Sequence, residues 1–213
     1  MMNTKGYFIT LEGGEGSGKS SVIKLIVERL QKEGYQVLQT REPGGVKIAE
    51  EIRNIILDKA NTSMDGKTEA LLYAASRRQH LVEKVIPALD KGMIVISDRY
   101  IDSSLVYQGV ARGIGIQEVY EMNLFAIDKI LPNLTLILDI EPEIGLQRIN
   151  KNNQREVNRL DLESLSFHHK VRDGYRKLKD LYPERIEIVD ASKSLEEVFE
   201  NCYSLIEKTL KNE

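Results

Sequence analysis

Residues 13–20, with the sequence GGEGSGKS, combine closely spaced glycines with a lysine and a serine. This spacing fits the pattern G-x-x-x-x-G-K-[ST], whose glycines let backbone N–H groups approach phosphate oxygens. The lysine can reach the β- and γ-phosphates of a nucleotide, and the serine hydroxyl can bind Mg²⁺. The sequence therefore predicts a phosphate-binding loop made of Gly13, Gly14, Glu15, Gly16, Ser17, Gly18, Lys19 and Ser20.

Arginines recur where a phosphate could be held. Arg41 and Arg99 each follow a predicted strand, and a polar segment contains three more, Arg148, Arg155 and Arg159. Phosphoryl transfer needs positive charge around the transferred group and a clamp on both donor and acceptor. Asp98, directly before Arg99, is a candidate Mg²⁺ ligand because a carboxylate can hold the ion directly or through water. This placement of charges favours a small kinase.

Other proteins also carry a phosphate-binding loop, so the loop alone leaves GTPases and ATPase modules open. A GTPase would normally have an N-K-x-D motif. The nearest candidate, NKNN at residues 150–153, lacks the aspartate and does not directly follow an apolar strand. An ATPase module that gates a partner, without a small-molecule acceptor, remains the alternative from a different class.

Composition restricts the ligands and the compartment. The chain has 213 residues, which fits one domain, and it is 41% hydrophobic and 30% charged, as in soluble globular proteins. A net charge of −3 argues against nucleic acid as a partner and favours small phosphorylated ligands. No stretch approaches the ~20 apolar residues that cross a bilayer, so we expect no membrane partner. The single cysteine, Cys202, fits a reducing cytoplasm.

Short apolar runs alternate with segments of helical periodicity. We predict strands at residues 6–11, 36–39, 93–97, 134–139 and 186–189, and helices at residues 20–32, 48–57, 68–89, 117–130, 143–149, 165–181 and 195–210. Strands without polar alternation, separated by helices, indicate a parallel sheet covered on both faces. The expected fold class is α/β, a doubly wound parallel five-stranded sheet flanked by helices, with ligands outside the carboxyl ends of the strands.

Five blocks of sequence resemble the motifs of the thymidylate kinase family, in its order and spacing. They are residues 8–20 (FITLEGGEGSGKS), 40–45 (TREPGG), 68–78 (TEALLYAASRR), 97–113 (SDRYIDSSLVYQGVARG) and 158–163 (NRLDLE). The resemblance extends from about residue 5 to the last helix. It implies a P-loop nucleoside monophosphate kinase fold and transfer of the γ-phosphoryl group of Mg·ATP to thymidine monophosphate, which supplies dTTP synthesis. A different pyrimidine monophosphate as acceptor is the nearest alternative.

The chain resembles the bacterial form of the family, because its phosphate-binding loop lacks the arginine of the eukaryotic form. The bacterial form supplies arginines from a lid, which here corresponds to residues 148–160. Within that segment we favour Arg155 and Arg159 over Arg148. The catalytic residues that the resemblance implies are Lys19, Arg99, Arg155, Arg159 and Glu15. It also implies Mg²⁺ at Ser20 and Asp98, with Asp139 a weaker candidate, and a homodimer.

The acceptor site follows from the same resemblance. Arg41 and Arg53 would contact the acceptor phosphate, Arg99 would bridge both phosphates, and Glu15 would face the acceptor sugar. Tyr73 stands where the family usually has a stacking phenylalanine, and a tyrosine keeps the aromatic face. The remaining predicted contacts are Arg77 with the thymine O4, Ser104 and Gln108 at the N3 edge, and Tyr107 against the 2′ position.

Overall fold

A parallel five-stranded sheet organises the protein. The computed structural model describes residues 6–151, residue 160 and residues 163–211. Its strands are β1 (Phe8–Glu12), β2 (Val37–Arg41), β3 (Ile94–Asp98), β4 (Leu134–Asp139) and β5 (Ile186–Asp190), in the order β2-β3-β1-β4-β5. All neighbouring pairs are parallel. The chain order reverses at β1, so the crevice beside the end of β1 is where this fold binds ligands.

Helices cover both faces of the sheet, which confirms the predicted doubly wound α/β class. They are α1 (Lys19–Lys32), α2 (Lys47–Leu57), α3 (Gly66–His80), α4 (Ile86–Asp90), α5 (Ile101–Ser104), α6 (Ile116–Ile127), α7 (Pro142–Lys151), α8 (Leu165–Leu181) and α9 (Leu195–Lys211). One buried core joins the sheet to α1 and α9 and contains Cys202. The other joins it to α3–α6 and α8. Within the described ranges, no helix combines the length and the apolar character needed to cross a membrane.

The helix predicted for residues 68–89 is interrupted. It runs as α3, then as a π-helical turn at Leu81–Val85, and then as α4. Pro87 lies in the first turn of α4 and has no N–H to donate to the preceding turn, and its ring would clash with the carbonyl four residues back. The wider π-helical turn accommodates this break.

The segment after β3 is also helical, which the sequence did not predict. Short helix α5 continues directly into a π-helical turn at Leu105–Ala111. Such turns frequently occur at functional sites. Here the turn packs against α6 and α8 and faces the predicted acceptor site with Tyr107 and Gln108.

Strands β2 and β3 end later than predicted, which corrects the position of two site residues. Arg41 and Asp98 are the last residues of β2 and β3 and pair with each other in register, whereas the sequence placed both just after a strand. The apolar residues stop before the backbone pairing does, so polarity alone placed the end of each strand too early in the sequence.

Candidate active site

The phosphate-binding loop joins β1 to α1 and encloses its own lysine. Lys19 is the first residue of α1, and its Nζ donates to the carbonyls of Gly13 and Gly14, both at 3.0 Å. It also lies 3.3 Å from Ser17 Oγ. Burial, together with the charge of nearby Arg99, lowers the Lys19 pKa to about 8. The lysine charge is therefore held inside the loop, where a phosphate would be bound.

Close packing of the loop against α7 requires a glycine at position 16. Gly16 has a φ of 70°, and a Cβ there would lie 2.0 Å from the Gly145 carbonyl oxygen. A side chain would have to displace the backbone of α7. The glycine thus fixes both the shape of the loop and its contact with the helix that leads toward residues 148–160.

Ser20 and Asp98 provide a pair of oxygen ligands at the end of the sheet. Ser20 Oγ donates to Asp98 Oδ2 at 3.2 Å, which links the start of α1 to the end of β3. Hydroxyl and carboxylate oxygens are the hard ligands that Mg²⁺ prefers, so this pair fits the ion.

Asp139, the weaker candidate, is held elsewhere. Its carboxylate accepts from Arg172 at 2.7 and 3.1 Å and from Arg176 at 2.8 Å. Burial by itself would raise the Asp139 pKa, but these hydrogen bonds lower it. The carboxylate orders α8 against β4, which argues against a role in binding magnesium.

Arg99 crosses from the end of β3 to the phosphate-binding loop. Its backbone adopts the left-handed region, with a φ of 71°, which few non-glycine residues do. Nη2 donates to Glu15 Oε1 at 2.6 Å, and Nη1 donates to the Gly13 carbonyl at 3.2 Å. The guanidinium also lies 5.1 Å from the centre of the Tyr107 ring. The guanidinium is therefore held next to the loop.

Glu12 is a buried carboxylate near Arg99 to which the sequence analysis assigned no role. Glu12 accepts from the Tyr100 N–H at 2.7 Å, from Ser103 Oγ at 2.5 Å and from Tyr175 Oη at 3.0 Å. The same two hydroxyls accept from Arg99 Nη1. Burial, followed by the nearby charge of Asp102, raises the Glu12 pKa to about 7. A lone carboxylate at the end of an apolar strand was the signal that could have pointed to it.

A cavity of about 550 Å³ extends from the phosphate-binding loop to the predicted acceptor residues. Apart from Gly13, Gly14 and the weaker magnesium candidate Asp139, every predicted site residue that the structure describes lines this cavity. They are Glu15, Gly16, Ser17, Gly18, Lys19, Ser20, Arg41, Arg53, Tyr73, Arg77, Asp98, Arg99, Ser104, Tyr107 and Gln108. The phosphate-binding loop, α1, α2, α3, the ends of β2 and β3, and the segment after β3 are thus brought together at one edge of the sheet.

Two arginines meet at the rim of the cavity. Arg41 Nη1 and Arg53 Nη1 donate to the same Pro43 carbonyl, at 3.1 and 3.2 Å. Arg41 Nη2 also contacts both Glu50 oxygens, at 2.8 and 3.0 Å. Two guanidinium groups and one carboxylate leave a net positive charge around this carbonyl, which suits a phosphate.

Arg77 is locked inside the protein, with a side chain only 2% exposed. Its Nε donates to Glu42 Oε2 at 2.8 Å, and Nη2 donates to the Tyr100 carbonyl at 3.0 Å. Nη1 donates to Asn123, and both Nη atoms donate to Ser104 Oγ at 3.2 and 3.1 Å. These are five hydrogen bonds, as many as a guanidinium can donate.

Only the two ends of the predicted lid fall within the described residues. Arg155 and Arg159, the two favoured lid arginines, lie outside the described residues. At one end of the segment, Arg148 lines the cavity and donates to the Ala191 carbonyl at 3.2 Å. At the other end, Leu160 is buried and also lines the cavity.

Comparison with known proteins identifies the family. The sequence profile of thymidylate kinases matches residues 11–202. The chain belongs to the thymidylate kinase family. It is 61% identical over 196 residues to the thymidylate kinase of Clostridium novyi (strain NT), covering 92% of this chain and 96% of that protein. It is 59% identical over 195 residues to that of Geobacillus sp. (strain WCH70), covering 92% and 93%.

The thymidylate kinase fold is confirmed by a solved structure. The crystal structure of thymidylate kinase from Ehrlichia chaffeensis superposes with a TM-score of 0.77 at 29% identity, and the match covers 95% of this chain and 99% of that one. The five-stranded parallel sheet and its flanking helices therefore form a thymidylate kinase fold. The roles of the individual lining residues remain predictions.

Proposed function

We propose that this chain transfers the γ-phosphoryl group of ATP to thymidine monophosphate and so supplies dTDP for dTTP synthesis. One observation carries the proposal. A single cavity joins the loop that encloses Lys19 to the arginine pair Arg41 and Arg53 and to the polar pocket around Arg77. This arrangement suits two nucleotides whose phosphates meet end to end. The thymidylate kinases to which the chain is similar support the choice of acceptor.

The chemistry assigned to the protein is positioning and neutralisation of charge. Lys19 binds the phosphates of the donor, while Arg41 and Arg53 bind the acceptor phosphate. Arg99 contacts the loop at the Gly13 carbonyl and at Glu15 and lines the same cavity as Arg41 and Arg53, so it is placed to bridge the two phosphates. Negative charge that develops on the transferred group would then be met by groups already in place.

Magnesium would be held by Ser20 and Asp98, whose oxygens lie 3.2 Å apart beside the loop. When bound, the ion neutralises charge on the donor phosphates. Asp98 is fixed in β3 and Ser20 in α1, so the pair is positioned by the sheet and by the helix that follows the loop.

We further propose that residues 148–160 form a lid of the same kinase domain and that Arg155 and Arg159 act from it. Support comes from the two described ends, Arg148 and Leu160, which both line the cavity. A closed lid would exclude water, which otherwise accepts the phosphoryl group.

The proposed assembly is a cytoplasmic homodimer formed through α2, α3 and α6. These helices pack side by side and carry exposed apolar side chains, Ile48, Ile55, Leu71 and Phe125. Phe125 is 90% exposed, which is unusual for a phenylalanine in a monomer. A cytoplasmic location agrees with a single cysteine that is buried.

Acceptor profiling tests the proposed reaction. ADP release from ATP is measured with each nucleoside monophosphate in turn. Thymidine monophosphate should give the highest rate, and the uracil analogue a lower one, because a methyl group is worth only ~1–3 kcal/mol. ADP release that ignores every added monophosphate would indicate an ATPase module instead.

A further inference from the structure

Two uncharged polar side chains of the cavity are available to contact a base. The loop around Lys19 and the arginines Arg41 and Arg53 suit phosphates, whereas Ser104 and Gln108 line the cavity without charge. Both are almost completely buried, and they lie four residues apart on the continuous helical segment after β3. Their donor and acceptor character therefore determines which base edge fits.

The orientation of the Gln108 amide is set from behind the cavity. Gln108 Nε2 donates to Glu69 Oε1 at 2.8 Å, and Glu69, 1% exposed, is not itself a lining residue. An ionised carboxylate only accepts hydrogen bonds, so the nitrogen end of the amide must face it. Among the described residues, no hydrogen bond reaches Gln108 Oε1. The amide oxygen is therefore left for a ligand.

An arginine keeps Glu69 in its accepting state. Arg112 Nε and Nη2 donate to the two Glu69 oxygens, both at 3.3 Å, and Nη2 also donates to Glu163 at 2.6 Å. A guanidinium at ion-pair distance favours the charged form of a carboxylate, and a charged carboxylate can only accept hydrogen bonds. Turning the Gln108 amide around would then place two oxygens against each other.

Ser104 has the opposite character. Both Nη atoms of Arg77 donate to Ser104 Oγ, which leaves the hydroxyl proton as its remaining hydrogen-bonding group. Ser104 thus offers a donor and Gln108 an acceptor. Thymine and uracil present O4, an acceptor, beside N3–H, a donor, and complement this pair. Cytosine presents an amine donor beside an unprotonated N3 and mismatches at both atoms.

We propose that Glu69 is a specificity-determining positioning residue, which makes the site select thymine and uracil over cytosine by holding the Gln108 oxygen toward the base. This inference rests on the proposed function. Glu69 does not touch the base and acts through Gln108. Its partner Arg112 links it to Glu163, at the end of the NRLDLE block.

The test replaces Glu69 with Gln and compares kcat/KM for dCMP and dTMP. A neutral amide at position 69 can accept or donate, so Gln108 is free to turn. The ratio of kcat/KM for dCMP to that for dTMP should rise at least about tenfold, chiefly through a higher KM for dTMP. Glu163→Gln, which alters the other partner of Arg112, is the matched control and should leave the ratio unchanged. A ratio within twofold of the wild-type value in Glu69→Gln would overturn the proposal, since a purely structural role lowers both activities together.

A swapped pair provides the second arm. The double variant Glu69→Gln, Gln108→Glu keeps one carboxylate and one amide in contact but still presents an acceptor to the base. It should recover the preference for dTMP that Glu69→Gln loses, and failure to recover it would count against the proposal. If Glu69→Gln does not fold, two other variants decide the question. The double variant must keep the preference for dTMP over dCMP, and Gln108→Leu must lose it. Any other combination overturns the inference. A wild-type protein inactive on dTMP would instead refute the proposed function.

Discussion

Arg99 Nη2 lies 2.6 Å from Glu15 Oε1, so an arginine at the end of β3 is paired with a carboxylate of the phosphate-binding loop. Tyr107 Oη donates to the same oxygen at 3.1 Å. The ion pair holds the guanidinium in place and limits its mobility before any nucleotide is bound. A preorganised charge requires little reorganisation during the reaction, which is the condition for strong electrostatic catalysis.

Replacing Arg99 with Ala should therefore lower kcat by at least ~10², as removal of a preorganised donor does in other enzymes. The KM for ATP should change less, because Lys19 and the loop remain. Steady-state kinetics with dTMP and ATP provide the measurement. Arg29→Ala is the control, since Arg29 pairs with Glu33 on the exposed face of α1. A kcat loss below threefold would remove Arg99 from the catalytic group.

Lys19→Ala should abolish turnover while thermal unfolding shows that the fold is retained. In the wild-type protein, the Lys19 pKa of about 8 also predicts a pH effect. Below that pH the lysine is charged and attracts phosphate. Above it the lysine of the free protein loses its proton, so kcat/KM for ATP should fall as pH rises from 7 to 9. A flat profile, or near-normal kcat in Lys19→Ala, would contradict this role. Lys24→Ala, an exposed change on the same helix, is the control.

Glu12 should make stability depend on pH. Its pKa is about 7 in the folded protein against 4.5 for the ordinary group, so the folded state holds the proton more tightly. The stabilisation from protonated Glu12 is complete below pH 4.5 and is lost as pH rises through 7. As the pH rises from 4.5 to above 7, the free energy of unfolding of Glu12→Gln should therefore increase relative to that of the wild-type protein, by up to about 3 kcal/mol for the full shift.

Urea unfolding of both proteins at pH 5 and pH 8 measures this difference. The control is Glu184→Gln, a change at an exposed residue, whose unfolding free energy should depend on pH as that of the wild-type protein does. If the unfolding free energies of Glu12→Gln and of the wild-type protein changed with pH by the same amount, the Glu12 carboxylate would not titrate as proposed. The charge of Asp102 raises the Glu12 pKa, whereas that of Arg99 lowers it. The decisive result is therefore the direction in which the free energy of unfolding changes between pH 5 and pH 8.

Phe125→Glu should dissociate the proposed homodimer, because a charge at the centre of an apolar contact cannot be buried without a partner. Sedimentation velocity would show a change from dimer to monomer. Leu181→Glu, at the end of α8, alters an exposed apolar residue on a different helix and should leave the dimer intact. A wild-type protein that sediments as a monomer would refute the assembly.

Features that depend on neighbouring residues were predictable from the sequence, and features that depend on distant residues were not. The phosphate-binding loop is contiguous, and the alternation of apolar runs with helical periodicity specified the sheet. Glu12 and Tyr175, by contrast, are 163 residues apart, and Arg77 meets Asn123 across 46 residues. No local pattern reports such contacts. The helical segment from Ile101 to Ala111 was missed because its pattern fits the period of an α-helix poorly and it includes a π-helical turn.

The account depends most on two nucleotides occupying one cavity with their phosphates end to end. A crystal structure of the protein with dTMP and a non-hydrolysable ATP analogue tests this directly. The account predicts the analogue's phosphates in the loop around Lys19 and the dTMP phosphate among Arg41, Arg53 and Arg99. A structure with the loop occupied but no second nucleotide beside those arginines, at saturating dTMP, would contradict it.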